Sequence, residues 1–250
     1  MIETPQIICF ACNWALCEGD MVIPSNVHIT RVICIGRLDP VLILKTFEKG
    51  ADGVLIVGCQ PPDCHFVDGN IHAQRAVKLL RELLKLAGIG DKRLKLLWLS
   101  PWEDKDFPYY AEKFTAEISS LGPSPIKNDD LKSEITLNLA AAEEAASGFR
   151  LRVLLGREEE LTEFMNAYGE KIKVEDYEKL LSEIVYVEFI RCKIHQLTKI
   201  KPLSVKELAK LIGISPSAVL RHITNMRRKG MITLDRIEGQ TPLYRALEVK

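Results

Sequence analysis

Short apolar runs alternate with amphipathic stretches over the first hundred residues. Ile7–Ala11, Ile29–Cys34, Val54–Gly58 and Leu94–Leu99 are of strand length and rich in β-branched residues. Continuous apolar runs of this kind suit strands buried on both faces. Between the second and third, Asp39-Pro40 opens and Gly50 closes a helix over Pro40–Lys49, the expected start and stop signals. Between the third and fourth, Ile71–Ala87 sets Val77, Leu80, Leu83, Leu84 and Ala87 on one stripe, and Gly88 ends it. The alternation predicts an α/β fold, a mostly parallel open sheet with helices on both faces.

The second half has a different rhythm. Residues 126–200 read as helices with short breaks, among them Asp129–Ala146 and Val174–Leu197, spaced as in a bundle. The run Glu158-Glu159-Glu160 is expected to be a solvated face. After Lys201-Pro202, Ser204-Val205-Lys206-Glu207 is a capping box. It opens a helix through Leu211, followed by a turn at Gly213 and a second helix from Ser215-Pro216 to about Arg228. Ala209, Ile214, Val219 and Ile223 take the core positions of a helix-turn-helix. Met231–Asp235 and Leu243–Leu247, joined through Glu238-Gly239-Gln240, read as a two-stranded wing. This part resembles the winged-helix domains of bacterial and archaeal regulators over roughly residues 177–250. The expected division is an α/β domain over 1–125, a helical connecting segment over 126–176 and a winged-helix domain over 177–250.

Composition adds limits. The chain is 47% hydrophobic and 27% charged, ordinary for a globular protein. No apolar run approaches the roughly 20 residues of a membrane helix. Met1-Ile2-Glu3-Thr4-Pro5 lacks the basic and apolar regions of a secretory signal, so a cytoplasmic setting is expected. The net charge of zero hides an asymmetry. Basic and acidic residues number 13 and 15 in 1–125, 11 and 15 in 126–200, and 10 and 4 in 201–250.

Six of the seven cysteines lie in the first 64 residues. Cys12, Cys34 and Cys59 stand at or near the ends of strand candidates, and Cys64 follows in Cys59-Gln60-Pro61-Pro62-Asp63-Cys64. A parallel sheet delivers its carboxyl ends to one edge, so these four thiols are expected to converge. In a reducing compartment a thiol cluster points to a metal site before a disulfide. Soft thiolates suit zinc or iron–sulfur chemistry. Zinc stays open, although Cys9–Cys12 is the one C-x-x-C and no second pair matches it. Cys9 and Cys192 read as buried apolar residues. No G-x-G-x-x-G follows a strand, so a dinucleotide site has no support.

Several motifs in order carry a family resemblance. Cys12-Asn13-Trp14, Arg31-Val32-Ile33-Cys34-Ile35-Gly36-Arg37-Leu38-Asp39-Pro40, Gly50 to Cys59, Asp63-Cys64-His65 and Gly69-Asn70 resemble the delta-subunit family of methyl-viologen-reducing hydrogenase, over about residues 5–123. The resemblance implies a 2Fe–2S protein. Members of that family pass electrons between a hydrogenase or other donor and heterodisulfide-reductase-type flavin and iron–sulfur subunits, in electron-bifurcating complexes. No catalytic residue is expected in this chain alone. One departure stands out: the family reads Cys-Asn-Trp-Cys, and here the second position is Ala15, with Cys17 the nearest thiol. Either Cys17 replaces the missing ligand, or Cys12, Cys34, Cys59 and Cys64 suffice, which is simpler. Asp39 reads as a helix cap, and Arg37 either holds a motif position without chemistry or compensates the negative charge of a thiolate cluster.

Ser217, Arg221, His222, Arg227 and Arg228, with Lys229, would bring donors and positive charge to a duplex if the second helix of the helix-turn-helix reads DNA. Winged helices also serve as docking modules. Two functions therefore compete: an electron-transfer subunit, and a redox-responsive DNA-binding regulator with the same cluster as its sensor.

Overall fold

Seven continuous apolar positions in Gly53–Cys59 are all buried, and this strand lies inside the sheet. The computed structural model describes residues 4–16, 22–100, 106–166 and 168–247. Its first sheet has four parallel strands, β1 (Ile7–Cys12), β2 (Val27–Val32), β3 (Gly53–Cys59) and β4 (Leu94–Leu99), in the order β2-β1-β3-β4. Cys12 pairs with Val32, Ala11 with Val57, and Cys59 with Leu99. β2 stops at Val32, earlier than its sequence suggests. The chain turns at the exposed Ile33, and Cys34 instead precedes a 3-10 turn over Ile35–Arg37.

Helices cover both faces. Residues 53 and 58 of β3 point to opposite sides. A Cβ at Gly53 would meet Phe114 and Ile118, and one at Gly58 would meet Ile35 and Trp98. The first side is covered by α3 (Phe107–Leu121), a helix not expected above, whose Phe107, Ala111, Phe114 and Ile118 are buried at helical spacing. The other carries α1 (Pro40–Glu48) and α2 (Gly69–Ala87), which pack on each other. Asp39 caps α1 by accepting from the Val41 amide at 2.9 Å, and it also pairs with Arg152 at 2.8 Å. The stripe read for α2 is its buried face, and Gly88 ends it with φ +82°. That helix starts two residues earlier than the stripe, at Gly69-Asn70.

One carboxylate ties together the edge of the sheet away from the cysteines. The side chain of Asp52 accepts from the amides of Gln6 and Ser124 and from Lys127 Nζ. Burial alone would raise its pKa, but these donors hold it below the usual carboxylate range. Nearby, the Arg93 guanidinium donates to the carbonyls of Asp52, Leu121, Gly122 and Pro123.

A second helical layer follows: α4 (Asp129–Ser147), α5 (Phe149–Gly156), α6 (Glu158–Thr162) and α7 (Val174–Ile200). The small face of α4, with Ala141, Ala142, Ala145 and Ala146 buried, lies against α1, α2 and α7. Glu158 departs from the expected solvated run. It is buried between Arg75 and Lys78 of α2, because those cations face the layer and need a counter-charge. Glu159 and Glu160 remain exposed.

The rest is a winged helix: β5 (Leu203–Ser204), α8 (Val205–Ile212), α9 (Pro216–Arg228), β6 (Ile232–Glu238) and β7 (Thr241–Ala246), with antiparallel order β5-β7-β6. The capping box is formed, with Ser204 accepting from the Glu207 amide and Glu207 accepting in return from the Ser204 amide. The two-residue β5 was too short to give a pattern. α7 packs on α2 and α4 and also on β7, α8 and α9. His195 Nδ1 lies 2.6 Å from Glu144 of α4, while its Nε2 lies 3.2 Å from the Leu247 carbonyl. Among the described residues no helix is long and apolar enough to cross a membrane.

Candidate metal centre

Parallel pairing puts the last residues of β1 and β3 side by side. Cys12 and Cys59 end those strands, and their sulfurs stand 3.6 Å apart. Two thiolates on one tetrahedral metal, each about 2.3 Å from it, are about 3.8 Å apart, so this pair is already at ligand spacing. The Cys12 thiol also lies 3.5 Å from the Ile33 carbonyl, which brings in the segment that carries Cys34.

Cys34 and Cys64 form a second pair around Gly69, the first residue of α2. A Cβ at Gly69 would stand 2.5 Å from the Cys34 sulfur and 3.3 Å from the Cys64 sulfur. A Cβ at Gly36 would collide with the Gly69 carbonyl oxygen. The 3-10 turn and α2 are thus pressed together with the thiols between them, and glycine is required on both sides. Among the described residues no set of three or more His, Cys, Asp or Glu side chains is arranged to hold a single ion. Cys12 touches Cys59, and Cys34 and Cys64 both approach Gly69.

Their electrostatics fit deprotonation by a metal better than free ionisation. Burial pushes the Cys59 thiol up to about 12, against one hydrogen bond from the His65 amide, with Cys12 and Cys64 adding to the rise. Burial likewise raises Cys34, against the amides of Gly36 and Arg37, while Cys12 and Cys64 raise it further. Left to themselves these two groups stay protonated at neutral pH. A bound cation would offset that cost, since metal binding releases thiol protons. Three backbone amides aimed at sulfur, and the positive end of α2 beside them, favour negative charge at this place. A soft four-sulfur donor set with amide donors is therefore one into which an iron–sulfur group fits.

Two further described thiols stand apart. Cys9 lies inside β1, fully buried, and burial pushes it up to about 12. Cys192 is buried in α7, where burial again raises its pKa. Cys17 lies outside the described residues. Ala15 is fully buried in the turn after β1, its amide bonded to the Cys12 carbonyl. Arg37 contributes its amide to Cys34, and its side chain is exposed. Two neighbours carried no sequence signal for their partnership. Trp14, from the turn after β1, stacks on His65, from the loop after β3, with ring centroids 3.5 Å apart and planes 13° apart.

At the other end of the chain, Ser217, Leu220, Arg221, Thr224, Asn225 and Arg228 line one shallow cleft along α9. Arg227 is exposed but does not line it. His222 is half-buried, and burial and the charge of Arg191 on α7 lower its pKa. The wing cations are internally paired, Arg236 with Asp235 and Glu238, and Arg245 with Asp235.

Comparison with known proteins follows the same division. Residues 7–122 match the family described as methyl-viologen-reducing hydrogenase, delta subunit. Residues 201–233 match a winged helix-turn-helix DNA-binding family. The vhc iron-sulfur subunit of the F420-non-reducing hydrogenase from Methanococcus voltae is 38% identical over 132 residues, 50% of this chain and 92% of that protein. The iron-sulfur subunit of the F420-non-reducing hydrogenase from Archaeoglobus profundus is 40% identical over 126 residues, 48% of this chain and 92% of that protein. A much longer relative, from the ferredoxin:CoB-CoM heterodisulfide reductase of Methanosarcina mazei, is 33% identical over 141 residues, 54% of this chain. The match spans only 17% of that longer protein. Through the α/β half that carries the four thiols, the chain belongs to the methyl-viologen-reducing hydrogenase delta-subunit family.

Proposed function

We propose that this chain is an iron–sulfur electron-transfer subunit, with Cys12, Cys34, Cys59 and Cys64 holding a 2Fe–2S cluster. Its partners would be a hydrogenase or other donor and heterodisulfide-reductase-type flavin and iron–sulfur subunits. The observation that carries this reading is the convergence of four thiols at one sheet edge, with Cys12 against Cys59 and Cys34 and Cys64 both against Gly69. A 2Fe–2S core asks for two thiolates on each iron, whereas one zinc ion asks for four around a single point. When bound, such a cluster supplies one-electron chemistry. The residues of this chain hold and bury the site: the amides of Gly36, Arg37 and His65 face sulfur, and α2 sets its positive end beside them.

The relatives support the partner classes. Two are named as hydrogenase iron-sulfur subunits, and a third carries the matching segment inside a heterodisulfide reductase. The test is anaerobic purification with iron and sulfide analysis, then electron paramagnetic resonance of the reduced chain. About two irons and two sulfides per chain are expected. One zinc per chain without sulfide would overturn the cluster. Co-purification with a flavin-bearing oxidoreductase partner is expected, and a chain that stays alone and takes no electrons from a reduced hydrogenase would overturn the transfer role.

A second reading, a redox-responsive regulator, is favoured by the open α9 cleft and the helix-turn-helix match. Arg221, Asn225 and Thr224 are of the types that contact base edges. Against it, the wing cations are already paired. Titration of a duplex library at two salt concentrations decides between them. Sequence-specific binding that Arg221→Ala weakens supports the regulator, and its absence leaves the winged helix as a docking module.

A further inference from the structure

The loop that carries Cys64 is poorly anchored by its own backbone. Hydrogen bonds of the Asp63, Cys64, Val67 and Asp68 amides all end on carbonyls between Gln60 and Cys64 or on Phe66, inside the loop itself. Within it Val67 has φ +67°, the left-handed region that a β-branched side chain resists. Such a conformation persists only where its surroundings enforce it. Val67 is itself 83% exposed, so its own side chain does not supply the restraint.

Ring contacts reach this loop from outside it. Trp14 lies flat on His65 at 3.5 Å, and Phe66 meets His65 edge-on at 5.0 Å. Trp14 stands two residues after Cys12, and His65 directly follows Cys64. The stack therefore joins the two sulfur-bearing loops on their outer side, as the Cys12–Cys59 contact joins them inside. His65 also presents its own amide to the Cys59 sulfur. Holding the His65 ring fixes that donor.

We propose that Trp14 is a positioning residue of the thiol site. Its indole pins His65, and through it the strained 60–68 loop, so that Cys64 and the His65 amide stay over the sulfurs and solvent is kept from Cys59 and Cys64. The clamp is a property of the folded chain, and its effect on a bound cluster rests on the reading given above.

The test uses the full metal-free chain, native conditions, iodoacetamide, and peptide mapping of each cysteine. Trp14→Ala should raise alkylation of Cys59 and Cys64 by up to about tenfold, the factor that loss of an aromatic stack gives to local opening. Trp14→Phe keeps a ring face and should stay within about twofold of the natural chain. Cys9 and Cys192, buried elsewhere, should not change. An unchanged rate at Cys59 and Cys64 overturns the proposal, and so does an equal rise at Cys9, which would mean global loosening. In the iron-loaded chain, Trp14→Ala should alter the reduced-state resonance and speed iron loss to a chelator, while Trp14→Phe restores both. Should the natural chain take up no iron while the alkylation pattern holds, the metal reading fails and the clamp stands. Should iron bind while alkylation ignores Trp14, the clamp alone fails.

Discussion

Gly69 lies against the sulfur of Cys34, so close that a side chain at residue 69 would put a carbon 2.5 Å from it. The contact joins the start of α2 to a thiol 35 positions earlier in the chain and explains why that helix begins with the poorest non-proline helix former. In a free helix Gly→Ala is favourable by about 1 kcal/mol. Here the sign should reverse. Gly69→Ala is expected to cost about 1–3 kcal/mol through overpacking and to lower iron per chain. Urea unfolding and an iron assay check it, and a stabilised variant with full iron would contradict the packing.

The cysteines should separate into two classes. Cys12→Ser, Cys34→Ser, Cys59→Ser and Cys64→Ser are each expected to remove most of the bound iron and the resonance signal. Cys9→Ala and Cys192→Ala should keep both and lose about 1–2 kcal/mol of stability as small core truncations. Retention of full iron by any of the first four would remove that residue from the ligand set.

Asp52 should make stability depend on acid. Its pKa in the folded chain is lowered, so its contribution is complete above the unfolded value of about 3.9 and disappears as pH falls through the lower folded value. Asp52→Asn is expected to cost about 2–4 kcal/mol at pH 7, because one carboxylate oxygen becomes an NH2 that cannot accept, and Lys127 and the Gln6 amide lose their shared buried acceptor. Denaturant melts of both chains at pH 7, 5 and 3 should show a constant gap between the first two that narrows at the third. A gap that widens in acid would reverse the assignment.

Val67→Gly should stabilise the apo chain. A non-glycine residue in the left-handed region costs about 1–2 kcal/mol, and glycine gives back about 0.5–1 through unfolded-state entropy. The expected net gain is about 0.5–1 kcal/mol, read as a rise in melting temperature. A fall would mean that the Val67 side chain makes a contact worth more than its strain.

Legibility differed between fold and site. The runs Ile7–Ala11 and Val54–Gly58 and the stripe of α2 were readable because buried strands and one-sided helices impose local periods. Asp39 and Ser204 were readable as caps because their bonds close within three residues. α3 was not assigned, although its buried Phe107, Ala111, Phe114 and Ile118 stand at helical spacing, and β5 was not because two residues make no pattern. The burial of Glu158 beside Arg75 was likewise hidden, since its cause sits on another helix. His222 had the right composition for a groove-facing residue, yet α7 packs on α9 and takes that face.

By itself the order of residues determined the parallel α/β half, the helix-turn-helix, and the strand-end places of Cys12 and Cys59, for each depends on neighbours a few positions away. Only the tertiary structure decided that Cys12 meets Cys59, that Cys34 and Cys64 flank Gly69, and that Trp14 covers His65. Those contacts come from strand order and from the docking of α2 on a 3-10 turn, and no local period encodes how separate segments pack.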